Sequence, residues 1–302
     1  MSESRPSRLT FEFDGGVLDI ELAQESAPET IDTLLRCLPW RFDLHCAKIA
    51  GSHILWHAPF VQPAERGRDI LSAPPGAFVY WPERQFLELI YAPLQAEAAE
   101  ISYLGQVRIG VEVLRALGER VRIRQGLEEI WAQLRLPDGG HPTPVVSARD
   151  WLEAFATHRR EIWRTRPPSI DTLLARRGIM LPIGPLLMAE NDARKLQELA
   201  WRFLGQARSG DPVPAAEAMR LVIESAEARL VGLCALGDVA PALAEARRLL
   251  AQYPAQAAIV LEELVLYAGR LAAWLDLTIP WQHLSDTLVA ALEERAMSGG
   301  GG

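Results

Sequence analysis

The chain is poor in lysine: of its 31 basic residues only Lys48 and Lys195 are not arginine. A bias toward Arg and Ala reflects genomic base composition and implies no mechanism, but it makes each lysine easy to scrutinise. An excess of positive charge is also missing. The 39 acidic residues leave a formal net charge of -8, which argues against a non-specific nucleic-acid binder. Cysteine is scarce, and Cys37, Cys46 and Cys234 are odd in number and lack ligand spacing, so neither a disulfide framework nor a zinc site is suggested. There is no Walker loop, dinucleotide fingerprint, HExxH or nucleophile elbow, so no cofactor and no metal are expected. No apolar run reaches membrane-spanning length, and "MSESRPSRLTFEF" has no signal-peptide core, so a cytoplasmic, soluble protein is expected.

What is present is a globular composition, 49% hydrophobic and 23% charged over 302 residues, enough for one large domain or two ordinary ones. From Leu9 to about Gln125 short strand-like runs dominate, among them "GVLDIEL", "FDLHCAKIAG", "HILWHAP", "AFVYW", "FLELIYA" and "RVRIRQ". Two helical segments interrupt them, Ser26 to Leu38 and "GVEVLRALGER". After Gln125 the hydrophobic period changes from two to 3.6, starting with "LEEIWAQLRL", and successive amphipathic segments predict an antiparallel helical bundle. The expected organisation is α+β in two domains: a β-barrel over 9–125, an all-α helical bundle over 126–298, and a flexible glycine tail at 299–302. "LPDGGHPTPVV" (136–146) reads as a flexible connection.

The stretch "PGAFVYWPERQFLELIYAP" predicts a β-hairpin over Ala77 to Trp81 and Phe86 to Tyr91, turning at Pro82 to Gln85. Strand alternation places Glu88 on one face with Phe86 and Ile90. A carboxylate among apolar neighbours either faces solvent, paired to an arginine, or is held in a site as a general acid or base.

The order strand, strand, a helix opening "APETIDTLL", then "LHCAKIAG" and "HILWHAP", resembles the cyclophilin-like barrel. The hairpin followed by "ISYLGQV" resembles a small bacterial branch of that fold, distinct from the prolyl isomerases. A cyclophilin-like barrel continued by a helical bundle is similar to the cucumopine synthase and bacterial Pictet-Spenglerase group. That resemblance implies condensation of tryptophan or histidine with a 2-oxo acid such as 2-oxoglutarate, and ring closure without a cofactor. Prolyl isomerases place an arginine where "LHCAKIAG" has Lys48, a departure that weakens an isomerase reading.

On this reading Glu88 is the base, Lys48 a carboxylate clamp, and His53 a proton shuttle. His45, His53 and His57 crowd one segment, but residues four apart on a strand lie about 13 Å apart, too far for His53 and His57 to share a metal. Tyr80, Trp81, Trp56 and Tyr91 either line the substrate pocket or fill the core, and His45 is a further binding candidate. Arg176 and Arg177 stand as clamps for a second carboxylate, or as ordinary charges at a helix end. Glu190 and Asn191 are weaker candidates, in a segment that reads as a helix start. The expected partners are small molecules, with no nucleic acid and no membrane; a homodimer is an open alternative. Two rival functions remain, a small-ligand-binding module with a helical interaction domain and a peptidyl-prolyl isomerase-like enzyme. A closed cavity with Glu88 inside it would favour catalysis.

Overall fold

The computed structural model describes residues 6–49, 51–95, 98–137, 139, 149–175 and 183–299. Arg176, Arg177, most of the 136–146 connection and the glycines beyond 299 lie outside the described residues. The chain begins with β1 (Arg8–Phe13), β2 (Gly16–Leu22), α1 (Pro28–Arg36), β3 (Trp40–Asp43), β4 (His45–Cys46) and β5 (His53–His57). It continues with β6 (Arg68–Asp69), β7 (Ala77–Trp81), β8 (Phe86–Ile90), β9 (Glu100–Val107), α2 (Val111–Arg124) and β10 (Trp131–Arg135). Nine of the strands form an antiparallel, nearly closed barrel in the order β3-β10-β1-β2-β9-β7-β8-β5-β4, and β6 pairs with β9. The remainder is helical: α3 (Glu153–Arg164), α4 (Pro168–Ala175), α5 (Ile183–Ser209), α6 (Pro212–Glu227), α7 (Ala240–Gln252), α8 (Ala257–Leu277) and α9 (Trp281–Gly299). A barrel followed by helices is the architecture that the resemblance implied.

The strands differ in how many faces they bury. On β2, Leu18, Ile20 and Leu22 point inward while Asp19 and Glu21 face solvent, the alternation of a half-buried strand. β5, β7 and β8 are buried at every position. One face, with Ile54, Trp56, Phe78, Tyr80, Leu87 and Leu89, joins Phe11 and Phe42 and the apolar sides of α1 and α2 in the barrel core. The other face, with Leu55, Val79, Trp81, Phe86 and Ile90, forms a separate apolar layer. α5 covers part of this second face, and α8 passes behind it, with Gly269 of α8 close enough to His57 and Gln197 that a side chain there would press on both. α8 is buried all round, as expected of a helix at the centre of a bundle.

Three expectations need correction. "LEEIWAQLRL" is not helical: Trp131 to Arg135 pairs with both β1 and β3, so the barrel extends into the segment assigned to the bundle domain 126–298. "RVRIRQ" is not a strand but the end of α2, which buries Leu114, Leu117 and Val121 and leaves its arginines outside. "FDLHCAKIAG" does not form one strand, since β3 and β4 are separate and Lys48 follows β4 in a bend. The predicted hairpin, by contrast, is β7 and β8, paired Phe78 to Leu89 and Trp81 to Phe86.

Candidate active site

Strand alternation gathers three histidines and one glutamate on the helix-covered face. His53 and His57 flank Leu55 on β5, His45 sits opposite Leu55 on β4, and Glu88 sits opposite Leu55 on β8. All four polar residues are at most 3% exposed. Glu88 is therefore not on a solvated face.

Glu88 Oε2 lies 2.7 Å from His53 Nδ1. The approach is off the hydrogen-bonding direction, and neither Glu88 oxygen accepts an aligned hydrogen bond from a described residue. A fully buried carboxyl group in that condition is costly. His53 stands between Glu88 and a cavity of about 610 Å³. Glu88 itself is set behind the wall.

Barrel and helices both line this cavity. The barrel contributes His53, Leu55, Trp81, Phe86, Arg84 and, from the bend after β4, Lys48; α5 adds Glu190, Asn191, Arg194, Lys195 and Glu198, and α9 adds Trp281. Both lysines of the chain face the same space.

Behind the cavity lies a charge network that sequence reading missed. His45 Nδ1 lies 2.6 Å from Asp276 Oδ2, and His45 Nε2 lies 3.0 Å from Asp43 Oδ2. A ring with a carboxylate at each nitrogen donates from both and is an imidazolium. Burial opposes that charge, but the hydrogen bonds to Asp276 and Asp43 outweigh it and raise the His45 pKa. Burial would likewise raise both carboxyls. Arg270, donating to Asp43 at 2.6 Å, and Lys48, 2.5 Å from Asp276, combine with His45 to hold them well below the usual carboxylate range. Gln125 and Trp281 also donate to the Asp276 carboxylate. Lys48 is thus held by Asp276 rather than standing as a free clamp, and His45 is locked in the network rather than lining the cavity.

His57 behaves in the opposite way. Arg194 approaches its Nε2 at 2.9 Å, so Nε2 accepts and the ring is neutral. Burial, then the Arg194 charge, pushes the His57 pKa well below its ordinary value. Arg194 also donates to Gln197 at 2.9 Å and lies 5.1 Å over the Phe86 ring, which fixes it at the cavity edge.

The aromatic candidates separate cleanly. Trp81 lines the cavity. Trp56 stacks on Phe42 at 4.5 Å inside the barrel core, and Tyr80 is fully buried there, with its hydroxyl 3.2 Å from the Gln62 amide. Tyr91 donates to the Gly51 carbonyl at 2.6 Å, and burial raises its pKa to about 12. Tyr91 packs against Gly118 of α2 so closely that a β-carbon there would sit 2.3 Å from its ring. Trp56, Tyr80 and Tyr91 therefore build the barrel rather than the pocket. Glu190 and Asn191, which were read at a helix start, lie inside α5 and do reach the cavity. Among the described residues no group of three His, Cys, Asp or Glu is arranged to hold a metal ion, and no helix is long and apolar enough to cross a membrane.

A solved structure described as McbB in complex with tryptophan superposes with a TM-score of 0.76, at 20% identity, over 92% of this chain and 99% of McbB. The chain has the fold of McbB. The hypothetical protein AF2241 from Archaeoglobus fulgidus, solved in solution, is 17% identical over 45% of this chain and 99% of its own, with a TM-score of 0.33. No family model and no curated protein matches the sequence. At 20% identity the likeness to McbB establishes architecture, and chemistry has to be argued from the site.

Proposed function

We propose that this protein is a condensing enzyme of the Pictet-Spengler type, which joins an aromatic amino acid to a 2-oxo acid and closes a ring without a cofactor. The observation that supports this reading most strongly is the buried Glu88 behind His53 at the wall of a cavity lined by aromatic rings and cations. McbB, the structural neighbour, was solved with tryptophan, and tryptophan is the amine we favour over histidine. The volume of about 610 Å³ falls in the range of sites that hold small molecules.

The amine and the 2-oxo group condense to an iminium with loss of water. The aromatic ring then attacks the iminium carbon, forming the new carbon-carbon bond. The ring proton leaves, and its electron pair restores aromaticity. Trp81, Phe86 and Trp281 would hold the ring and favour the cationic iminium through their faces. Arg194 would bind a substrate carboxylate, in the role expected of Arg176 and Arg177. The pair of His53 and Glu88 would take the ring proton: His53 reaches the cavity, and Glu88 lies 2.7 Å from its Nδ1, where it would favour the protonated ring.

The test is mass-spectrometric detection of product from purified protein, 2-oxoglutarate and tryptophan, beside histidine, Glu88→Gln and an enzyme-free control. A cyclised adduct of one configuration that is lost in the variant is expected. No rate above the control with either amine would remove the reading.

A further inference from the structure

We propose that Lys195 forms an anion subsite that selects a dicarboxylic carbonyl substrate by binding the carboxylate remote from the reacting carbon. The assignment of that carboxylate to the carbonyl partner rests on the proposed condensation; the subsite itself does not.

Among the described residues four cations line the cavity, and three already have an acidic partner. Lys48 meets Asp276 at 2.5 Å, Arg84 meets Glu198 at 2.6 Å, and Arg194 meets Glu190 at 3.5 Å, a contact long enough that Arg194 can bind a substrate carboxylate as well. Lys195 has no ion-pair partner among the described residues. Its helical surroundings explain why. A lysine on a helix is neutralised by an acid three or four positions away. For Lys195 the positions four away are Asn191 and Leu199, both uncharged. The acids three away are Asp192 and Glu198, and each is engaged elsewhere, Asp192 by Arg229 at 2.8 Å and Glu198 by Arg84. Among the described residues the cavity therefore retains one cation whose charge no neighbour consumes, next to the amide of Asn191, which can donate to the same anion.

The identity of the residue fits the role. A chain that otherwise uses arginine places both of its lysines at this cavity. One is tied down by Asp276. The other presents a compact point charge on a flexible stem, suited to a carboxylate at the far end of a short chain. An oxo acid with one carboxylate would satisfy Arg194 and leave Lys195 unused. An oxo acid with two would satisfy both.

The experiment measures binding, so that it does not depend on turnover. Glutarate and butyrate, unreactive acids differing by one carboxylate, are titrated against the full-length protein, Lys195→Met and Lys195→Arg, with calorimetry as the readout. Wild type should prefer glutarate by about tenfold, the scale of one charge-assisted hydrogen bond. Lys195→Met should bring that preference close to unity, and Lys195→Arg should keep most of it. Lys195 is exposed, so both variants should melt as the wild type does. Equal affinity for the two acids in the wild type, or a preference unchanged in Lys195→Met, would overturn the proposal. A Lys195-dependent preference in a protein that makes no cyclised product would leave the subsite standing and remove the condensation.

Discussion

His45 and Asp276 lie 2.6 Å apart although 231 positions separate them in the chain. The contact ties β4 of the barrel to the C-terminal end of α8, and Lys48, Gln125 and Trp281 converge on the same carboxylate. Removing one member of such a buried set leaves the opposite charge stranded. Asp276→Asn is therefore expected to cost about 3 to 5 kcal/mol of stability, measured by urea unfolding. Lys48→Met should cost less, because the Lys48 ammonium is partly solvated and can be replaced by water.

Two of the buried imidazoles, those of His45 and His57, give opposite pH dependences. His45 has a raised pKa, so its contribution to stability is complete below its unfolded value of about 6.5 and is lost as pH rises through the raised value. The stability difference between wild type and His45→Asn should be larger near about pH 6 than near about pH 9. His57 has a lowered pKa, so the unfolded chain takes up a proton that the folded ring refuses. His57→Gln should accordingly lose less stability than wild type on acidification below about pH 6.5. Chemical denaturation across pH checks both signs.

Glu88 is expected to separate activity from stability. Glu88→Gln keeps the size of a buried group whose oxygens accept no aligned hydrogen bond from a described residue, so its melting temperature should not fall. Turnover should drop by about a hundredfold to ten-thousandfold, the range for loss of general acid-base catalysis. His53→Asn should lose a similar amount, and the double variant little more, because the two act as one unit. Calorimetry and steady-state kinetics on the three variants decide this.

The sorting of aromatics can be tested in the same way. Trp56→Ala empties a stacked core position and should cost about 3 to 5 kcal/mol. Trp81→Ala opens the cavity wall and should show chiefly as a raised KM for the aromatic substrate. Unfolding midpoints and KM values on both variants distinguish the two effects.

The hairpin that bears Glu88 was legible because alternation and turn chemistry agree over Ala77 to Ile90. Trp131 to Arg135 was not. Its Leu, Ala, Gln and Arg favour a helix, and only pairing with β1 and β3 overrides that preference. "RVRIRQ" misled for the converse reason, since alternating Val, Ile and Arg imitates a strand at the end of a helix. Arg194 and Lys195 were hidden because α5 begins at Ile183, well before the acidic cluster that looked like its start. A usable signal did exist for the network: Arg270 and Asp276 are the charges in an otherwise apolar run from Leu264 to Leu277, and such residues must find partners when the helix is buried.

In the proposed mechanism the pair of His53 and Glu88 removes the ring proton during closure. Release of deuterium from tryptophan labelled at the indole carbon that forms the new carbon-carbon bond, in the presence of 2-oxoglutarate, measures that step. Wild type should release deuterium in step with product, and Glu88→Gln should release it at least about a hundredfold more slowly while still binding tryptophan. Release at the same rate in both, or none from the wild type, would contradict the account.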